Sequence, residues 1–484
     1  MVTAVYPVSA ARAMPVGLGR WLWFVVAFAV LGVVVPTLAV AQVPDAGRSG
    51  AWRIAVLVAA WAGFRLAILI GAGEPRFFAF FFWLFTYLFM GVAPVVQIRA
   101  DRPSTTTPDV LPGLDAITLW TVVLGLVCFE IGSLLSRART SRSASSLPEV
   151  TGVKPRVAVG FVLAGSLVSG YYLSRVGLTP LLTSRDAVAA VRAEVWPDIP
   201  TRAAVLNLAL YLTLMGVGAV RQLLGSERRA LPRLGYVTLA VVGLAALSLV
   251  AFPLSTPRFT LGTLLFALLV LLGGAAHAGR VRLTLVVTVF SLFFVFPIAD
   301  AFRRTGDPNF ARAGLFGEYA GNPDYDALWQ VANASNYWAS GAAGVGRQAL
   351  GVVLFWLPRS VWPDKPLDTG AQLALLHNYS TQNLSAPLWA EALANGGLIA
   401  VVLVFVALGL LVNTLDRAVV RSARTGGLWV VAGAVLPAYF VIVLRGSLLQ
   451  ATGTLAIMVL SLLALRQRLP PPVPTAPASR SATL

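Results

Sequence analysis

Histidine, cysteine and acid are all scarce in this 484-residue chain. It holds two histidines, His277 and His377, one cysteine, Cys128, and 20 acidic residues. One cysteine excludes an internal disulfide, and two histidines exclude a multi-histidine metal site. No metal and no cofactor is expected. Charge is short as well: Asp, Glu, Lys and Arg make up 12% of the residues, against about 25% in soluble domains. Hydrophobic residues reach 57% and the mean hydropathy is +0.79. A water-soluble core cannot absorb that much apolar side chain, so the bilayer is the expected solvent and the main partner. The net charge of +17 does not point to nucleic acid. The basic residues sit in short loops between apolar runs and form neither a continuous patch nor a nucleic-acid motif.

Those apolar runs carry the fold. A helix of about 17 to 25 residues crosses a hydrocarbon layer of roughly 30 Å, and windows of that kind recur along the chain. They predict an all-α polytopic membrane protein with twelve spans. Nine fall near 21–43, 52–72, 77–97, 114–135, 157–173, 203–220, 235–252, 260–276 and 283–299. Three more fall near 387–412, 427–444 and 447–465. Arg and Lys cluster in alternate loops: Arg137, Arg139, Arg142, Lys154 and Arg156; Arg221, Arg228, Arg229 and Arg233; Arg280 and Arg282; Arg417, Arg421 and Arg424. By the positive-inside bias these loops face the cytoplasm. Arg466 and Arg468 join them, so residues 1–20 and 466–484 are both expected there, the latter as a disordered tail. Ala39-Val40-Ala41 resembles a signal-peptide cleavage site, but the apolar stretch before it is longer than the usual 7 to 15 residues or so.

The same parity puts the longest segment that does not span, residues 300–386, on the outer face as a large loop. Its Trp, Tyr, Phe and Leu content argues against disorder, and loops of this length are usually functional. Leu350 to Pro358 is too short to span and reads as a short helix or a re-entrant element. It runs into Phe355-Trp356-Leu357-Pro358-Arg359-Ser360-Val361-Trp362-Pro363-Asp364-Lys365-Pro366. Three prolines keep this string out of helix, and its tryptophans suit a membrane interface. Arg359 and Lys365 bring cations to that level, Arg303 and Arg304 open the loop, and Arg445 falls at the outer turn between the last two helices. Arginine offers forked donors that match phosphate oxygens, so convergence of these groups suits a diphosphate head group. The bland alternative is that each arginine snorkels to lipid phosphate.

Few acids accompany them. Glu391, at the outer end of the tenth helix, is the first candidate general base, because an ionisable group in a membrane helix is costly enough to suggest function. Asp326 is the second and Asp300 a third; the alternative for Glu391 is a structural pair with an arginine. His377 is a candidate base or proton relay, or a surface residue. Glu130 is expected to pair with a basic loop residue. Arg65, in mid-helix, needs a partner that the sequence does not name.

The C-terminal 190 or so residues resemble the O-antigen polymerase family, enzymes that join lipid-linked oligosaccharide repeat units outside the plasma membrane. The resemblance rests on the string Pro297 to Arg303, Asp324-Tyr325-Asp326 with Gln330, the Phe355 to Pro366 string, Gly370, Asn383 to Glu391, and Arg445-Gly446. O-antigen ligases share the architecture, and His377 keeps them in view. The resemblance implies a GT-C-type glycosyltransferase of the bacterial plasma membrane. Its substrate would be a polyprenyl-diphosphate-linked oligosaccharide, used without a nucleotide sugar. Arg359, Arg445, Lys365, Arg303 and Arg304 would hold the diphosphate, and Glu391 or Asp326 would take the acceptor proton. Trp362, Tyr325, Trp356 and Trp329 would stack on sugar or sit at the interface, with Gln330 beside them. A flippase and a chain-length regulator would be its partners. A flippase of the lipid-linked sugar is the rival from another class.

Overall fold

The computed structural model describes residues 17–108, 110–142, 151–183, 185–225, 230–253, 255–295 and 314–468. It is an all-α polytopic membrane protein. Eleven helices are long and apolar enough to cross a bilayer: α1 Leu18–Gln42, α2 Trp52–Ala72, α3 Phe77–Arg99, α4 Pro112–Arg139, α5 Pro155–Val176, α6 Ile199–Leu224, α7 Arg233–Val250, α9 Ala278–Val295, α10 Leu388–Ala423, α11 Leu428–Arg445 and α12 Leu448–Leu465. Between α7 and α9 lies the shorter apolar helix α8, Arg258–Gly274. These twelve helices fall on the twelve predicted windows. Arg303, Arg304 and Asp300 lie outside the described residues, as do 469–484.

The bundle is built around α3. Its run Phe77–Phe85 is almost entirely aromatic, and every residue of it except Ala79 is buried. Phe82 stacks on Phe129 of α4 at 3.7 Å between ring centroids, and Phe77 and Phe81 meet Phe266 of α8 edge-on. Lipid tails are as apolar as these side chains, so such contacts hold helices together by close packing rather than by exclusion of water.

The tightest helix pair is α4 with α10, and glycines make it so. A Cβ on Gly132 would stand 2.1 Å from the carbonyl oxygen of Val406, and one on Gly409 would stand 2.0 Å from that of Phe129. Hydrogen bonds between helices add to the contact: Asn413 donates to the Ser133 carbonyl at 2.8 Å, and the Arg417 guanidinium donates to Ser136.

Arg65 of α2 finds its partner across the bundle in Glu130 of α4, at 2.8 Å, with the indole of Trp83 5.4 Å from the guanidinium. The expected pairing of Glu130 with a loop residue is thereby corrected. An arginine in mid-span draws the nearest carboxylate inward because neither charge has water to turn to. Arg65→Leu is expected to destabilise the fold by about 3 kcal/mol, whereas the double change Arg65→Leu with Glu130→Leu recovers most of that loss. Thermal unfolding in detergent of the two variants and the wild type measures the difference.

Residues 314–387 sit over one end of the bundle, where the α1–α2, α3–α4, α7–α8 and α11–α12 connections also meet. Arg48 of the α1–α2 connection holds Asp115 at the start of α4 at 3.0 Å, reaches Asp101 at 3.2 Å, and lies over the ring of Trp329. At the opposite end Thr151–Val153 pairs antiparallel with Arg466–Arg468. These last three residues, expected as part of a disordered tail, instead form the strand that ties the end of α12 to the start of α5.

One break in the helices bears on the site. The α10 segment departs from helical geometry at Gly396 and Gly397, the latter at φ +60°. A short outer piece, Leu388 to Asn395, is thus set apart from the long span that follows. The indole of Trp338 packs where a Cβ on Gly397 would stand, 2.8 Å away. Asn395 closes the break by accepting from the Ala349 amide at 2.8 Å.

Candidate functional site

Within residues 314–387, polar groups of the bundle hold the chain. Gln97, buried near the end of α3, donates to the carbonyls of Tyr319 and Tyr325 at 3.0 Å each and accepts from the indole of Trp329 at 2.9 Å. It fixes the turn Pro323–Tyr325, whose start Asn322 caps by accepting from the Asp324 amide. Tyr325 is pinned between Phe89 of α3 and Tyr319, with ring centroids 5.3 and 4.7 Å away. The two aspartates that flank Tyr325 then point into one cluster.

Arg445, the last residue of α11, is central to it. Its Nη2 lies 3.1 Å from Asp324 Oδ1 and 3.6 Å from Asp326 Oδ1, and its Nε donates to the Asp324 carbonyl at 3.0 Å. Arg258, the first residue of α8, makes an ion pair with the other Asp324 oxygen. Phe259 lies beneath both guanidinium groups, 5.7 Å from that of Arg258 and 5.2 Å from that of Arg445. Asp326 is the more enclosed carboxylate. It accepts from the Ser385 hydroxyl at 2.6 Å, from Gln330 at 3.3 Å and from Thr106 at 3.4 Å, and is 2% exposed. Asp324 keeps 36% of its side chain open. Of the predicted residues the cluster unites Arg445, Asp326, Tyr325 and Gln330. Arg258 and Asp324 complete it. The sequence signal for Arg258 was a lone arginine opening an apolar helix in a loop that the positive-inside bias would leave without one.

The cluster stands at the head of an apolar cleft. A space of about 140 Å³ opens between α8, α9 and α11, lined by Phe266, Leu269, Val287, Leu292, Ala438 and Val441 among others. Phe259 and Leu292 line both this cleft and the small hollow that holds Arg258, Asp324 and Tyr325. Exposed Leu265 and Val287 put the cleft on the lipid-facing side of the bundle.

Glu391 has a different set of partners. One of its oxygens accepts from Thr369 Oγ1 at 2.6 Å and the other from the Leu448 amide at 2.8 Å, and the residue is 2% exposed. No ion pair joins it to an arginine among the described residues. Beside it Ser447 receives the Gly370 amide and donates to Asp368, each at 2.9 Å. Gly370 lies so close to the Leu384 carbonyl that a Cβ would stand 2.2 Å from it. Glu391 therefore clasps the first turn of α12 to the loop helix Thr369–Leu376. Glu391→Ala, which orphans both donors, is expected to cost about 2 kcal/mol of stability. Thermal unfolding of the variant and the wild type in detergent measures the loss.

Arg359 and Lys365 fold their own string into a strap. Arg359 donates to the carbonyls of Lys365 and Pro366 at 2.7 and 3.3 Å, while Lys365 Nζ donates to those of Phe355 and Leu357 at 2.7 and 2.8 Å. Burial, and secondarily the Arg359 charge, lower the Lys365 ammonium below the ordinary lysine range. Trp356 and Val361 project from the strap 65% and 69% exposed, as an element at a membrane interface would; Trp362 is half-buried. No hydrogen bond or ion pair among the described residues joins Arg359 to Arg445. His377 ends the Thr369–Leu376 helix and stacks on Tyr379 at 5.3 Å.

Compared with protein families, with curated proteins and with solved structures, this chain matches none.

Proposed function

We propose that the chain is a membrane glycosyltransferase that joins polyprenyl-diphosphate-linked oligosaccharide units on the extracytoplasmic face of a bacterial plasma membrane. The observation that carries this reading is the pair Arg258 and Arg445 at the head of a lipid-facing apolar cleft. A polyprenyl diphosphate has that shape: an apolar tail for the cleft and two phosphoryl groups for the forked donors. In the structure Asp324 holds both guanidinium groups, so the diphosphate takes its place and leaves the Asp324 carboxylate free. The reaction then runs at one centre. The acceptor hydroxyl oxygen attacks the anomeric carbon, the bond from that carbon to phosphate breaks, and Asp324 takes the hydroxyl proton. Arg258 and Arg445 stabilise the charge that develops on the departing diphosphate. Asp326, with Ser385, Gln330 and Thr106 around it, holds Arg445 in place. Both termini are cytoplasmic in this reading, which follows the basic loops.

The lipid-linked intermediates of cells deleted for this chain test the assignment. Single units that persist on the carrier outside the membrane, with long surface chains lost, are the expected result. Long chains held on the carrier would make the protein a ligase, and units held inside would make it a flippase.

A further inference from the structure

A second cavity, of about 320 Å³, lies in the outer segment away from the arginine cluster, between the helix Ala327–Ala339, the helix Arg347–Val353 and the strap. Its lining is polar in a particular way. Tyr337, 3% exposed, offers a phenol; Gln348, Gln372 and Asp364 offer amide and carboxylate groups; Arg347 adds a guanidinium, held at the rim by its hydrogen bond to the Asp364 carbonyl at 3.2 Å. Gln348 is the decisive residue. It is 4% exposed, it lines the cavity, and its Oε1 accepts no hydrogen bond from the described protein. A buried amide oxygen left so costs about 1 to 3 kcal/mol, and a donor from a bound molecule removes that cost.

We propose that this cavity binds saccharide, taking the hydroxyl groups of one or two sugar rings of the glycan. Carbohydrate supplies donors and acceptors on an apolar ring, and the wall combines amide and carboxylate groups with Tyr337 and Leu367. Arg347, Lys365 and Asp364 leave one net positive charge, and the Lys365 ammonium already donates to the Phe355 and Leu357 carbonyls, so the remaining polar groups of the wall are mainly neutral amides and a phenol, which suit hydroxyl groups. The cavity shares no lining residue with the hollow that holds Arg258, Asp324 and Tyr325, so it would contribute binding rather than chemistry. This inference rests on the glycosyltransferase reading.

The probe is the oligosaccharide pool released by mild acid from lipid extracts of cells deleted for this chain, which carries the sugars without the diphosphate. Binding to the purified full-length protein is followed by saturation-transfer NMR, with wild type, Gln348→Ala, Gln372→Ala and Arg445→Ala compared. The expected result is transfer to wild type and Arg445→Ala, and a loss of about tenfold or more in either glutamine variant, each of which elutes as folded protein. A single lost hydrogen bond of about 1.4 kcal/mol gives that factor. If one glutamine variant fails to fold, the other decides. Binding unchanged in the folded glutamine variants, or no binding to wild type, overturns the saccharide site while the function stands. Cells that accumulate no lipid-linked units overturn both.

Discussion

Arg445→Ala is expected to lower glycan transfer by about 100- to 1000-fold, the size of effect seen when one preorganised donor to a developing charge is removed. The residue can be lost without unfolding the bundle because it is terminal in α11 and 17% exposed, and because its main partner, Asp324, keeps Arg258. Arg445→Lys keeps the charge but not the fork, and the Nε bond to the Asp324 carbonyl goes with it, so an intermediate loss is expected. Transfer measured on lipid-linked units in membranes with matched amounts of protein gives the answer. Glu391→Gln makes the contrast: it touches the clasp on α12 and not the cluster, so transfer per folded molecule should stay within a few-fold of wild type.

The largest effect on stability is expected at Gly409. Any side chain there meets the Phe129 carbonyl at 2.0 Å and the Ser133 amide at 2.8 Å. These are backbone atoms that cannot turn aside. Gly409→Val therefore forces α10 away from α4, with a cost of about 3 kcal/mol or more. The consequence reaches the site, because the outer piece of α10 carries Glu391 and also Trp389, which donates to the Val122 carbonyl of α4 at 3.2 Å. Loss of the monodisperse peak in detergent, at wild-type transcript levels, is the expected readout. Gly170, whose Cβ would meet nothing, is the control: Gly170→Val should leave the peak in place.

Much of the fold was legible because membrane spans are written in hydropathy and length. All twelve windows are helical; eleven are long and apolar enough to cross a bilayer, and the twelfth, α8, is a shorter apolar helix of 17 residues. What stayed hidden depends on pairing between distant residues. Nothing in the text around Arg65 names Glu130, and nothing around Arg466 announces a strand with Thr151. The site was half legible. Arg445 stood out as a cation at the turn between the last two helices, and Asp326 because acids are few near the loop. Arg258 did not, since a lone arginine at a helix start also reads as an anchor. Glu391 stood out because an acid in a membrane helix is costly, yet its carboxylate is taken up by Thr369 and the Leu448 amide, an arrangement that only the tertiary fold creates. Arg359, the most distinctive cation of the text, spends two of its donors on its own strap. Gln348 has no signal at all in the sequence.

The most direct test of the central claim is reconstitution. Purified protein in liposomes, supplied only with lipid-linked oligosaccharide from cells deleted for this chain, should produce a ladder of lengthened glycan on the lipid. Arg258→Ala and Arg445→Ala should leave single units. A ladder of wild-type extent from either variant would contradict the role given to the arginine pair, and no ladder from the wild type would contradict the assignment as a polymerase.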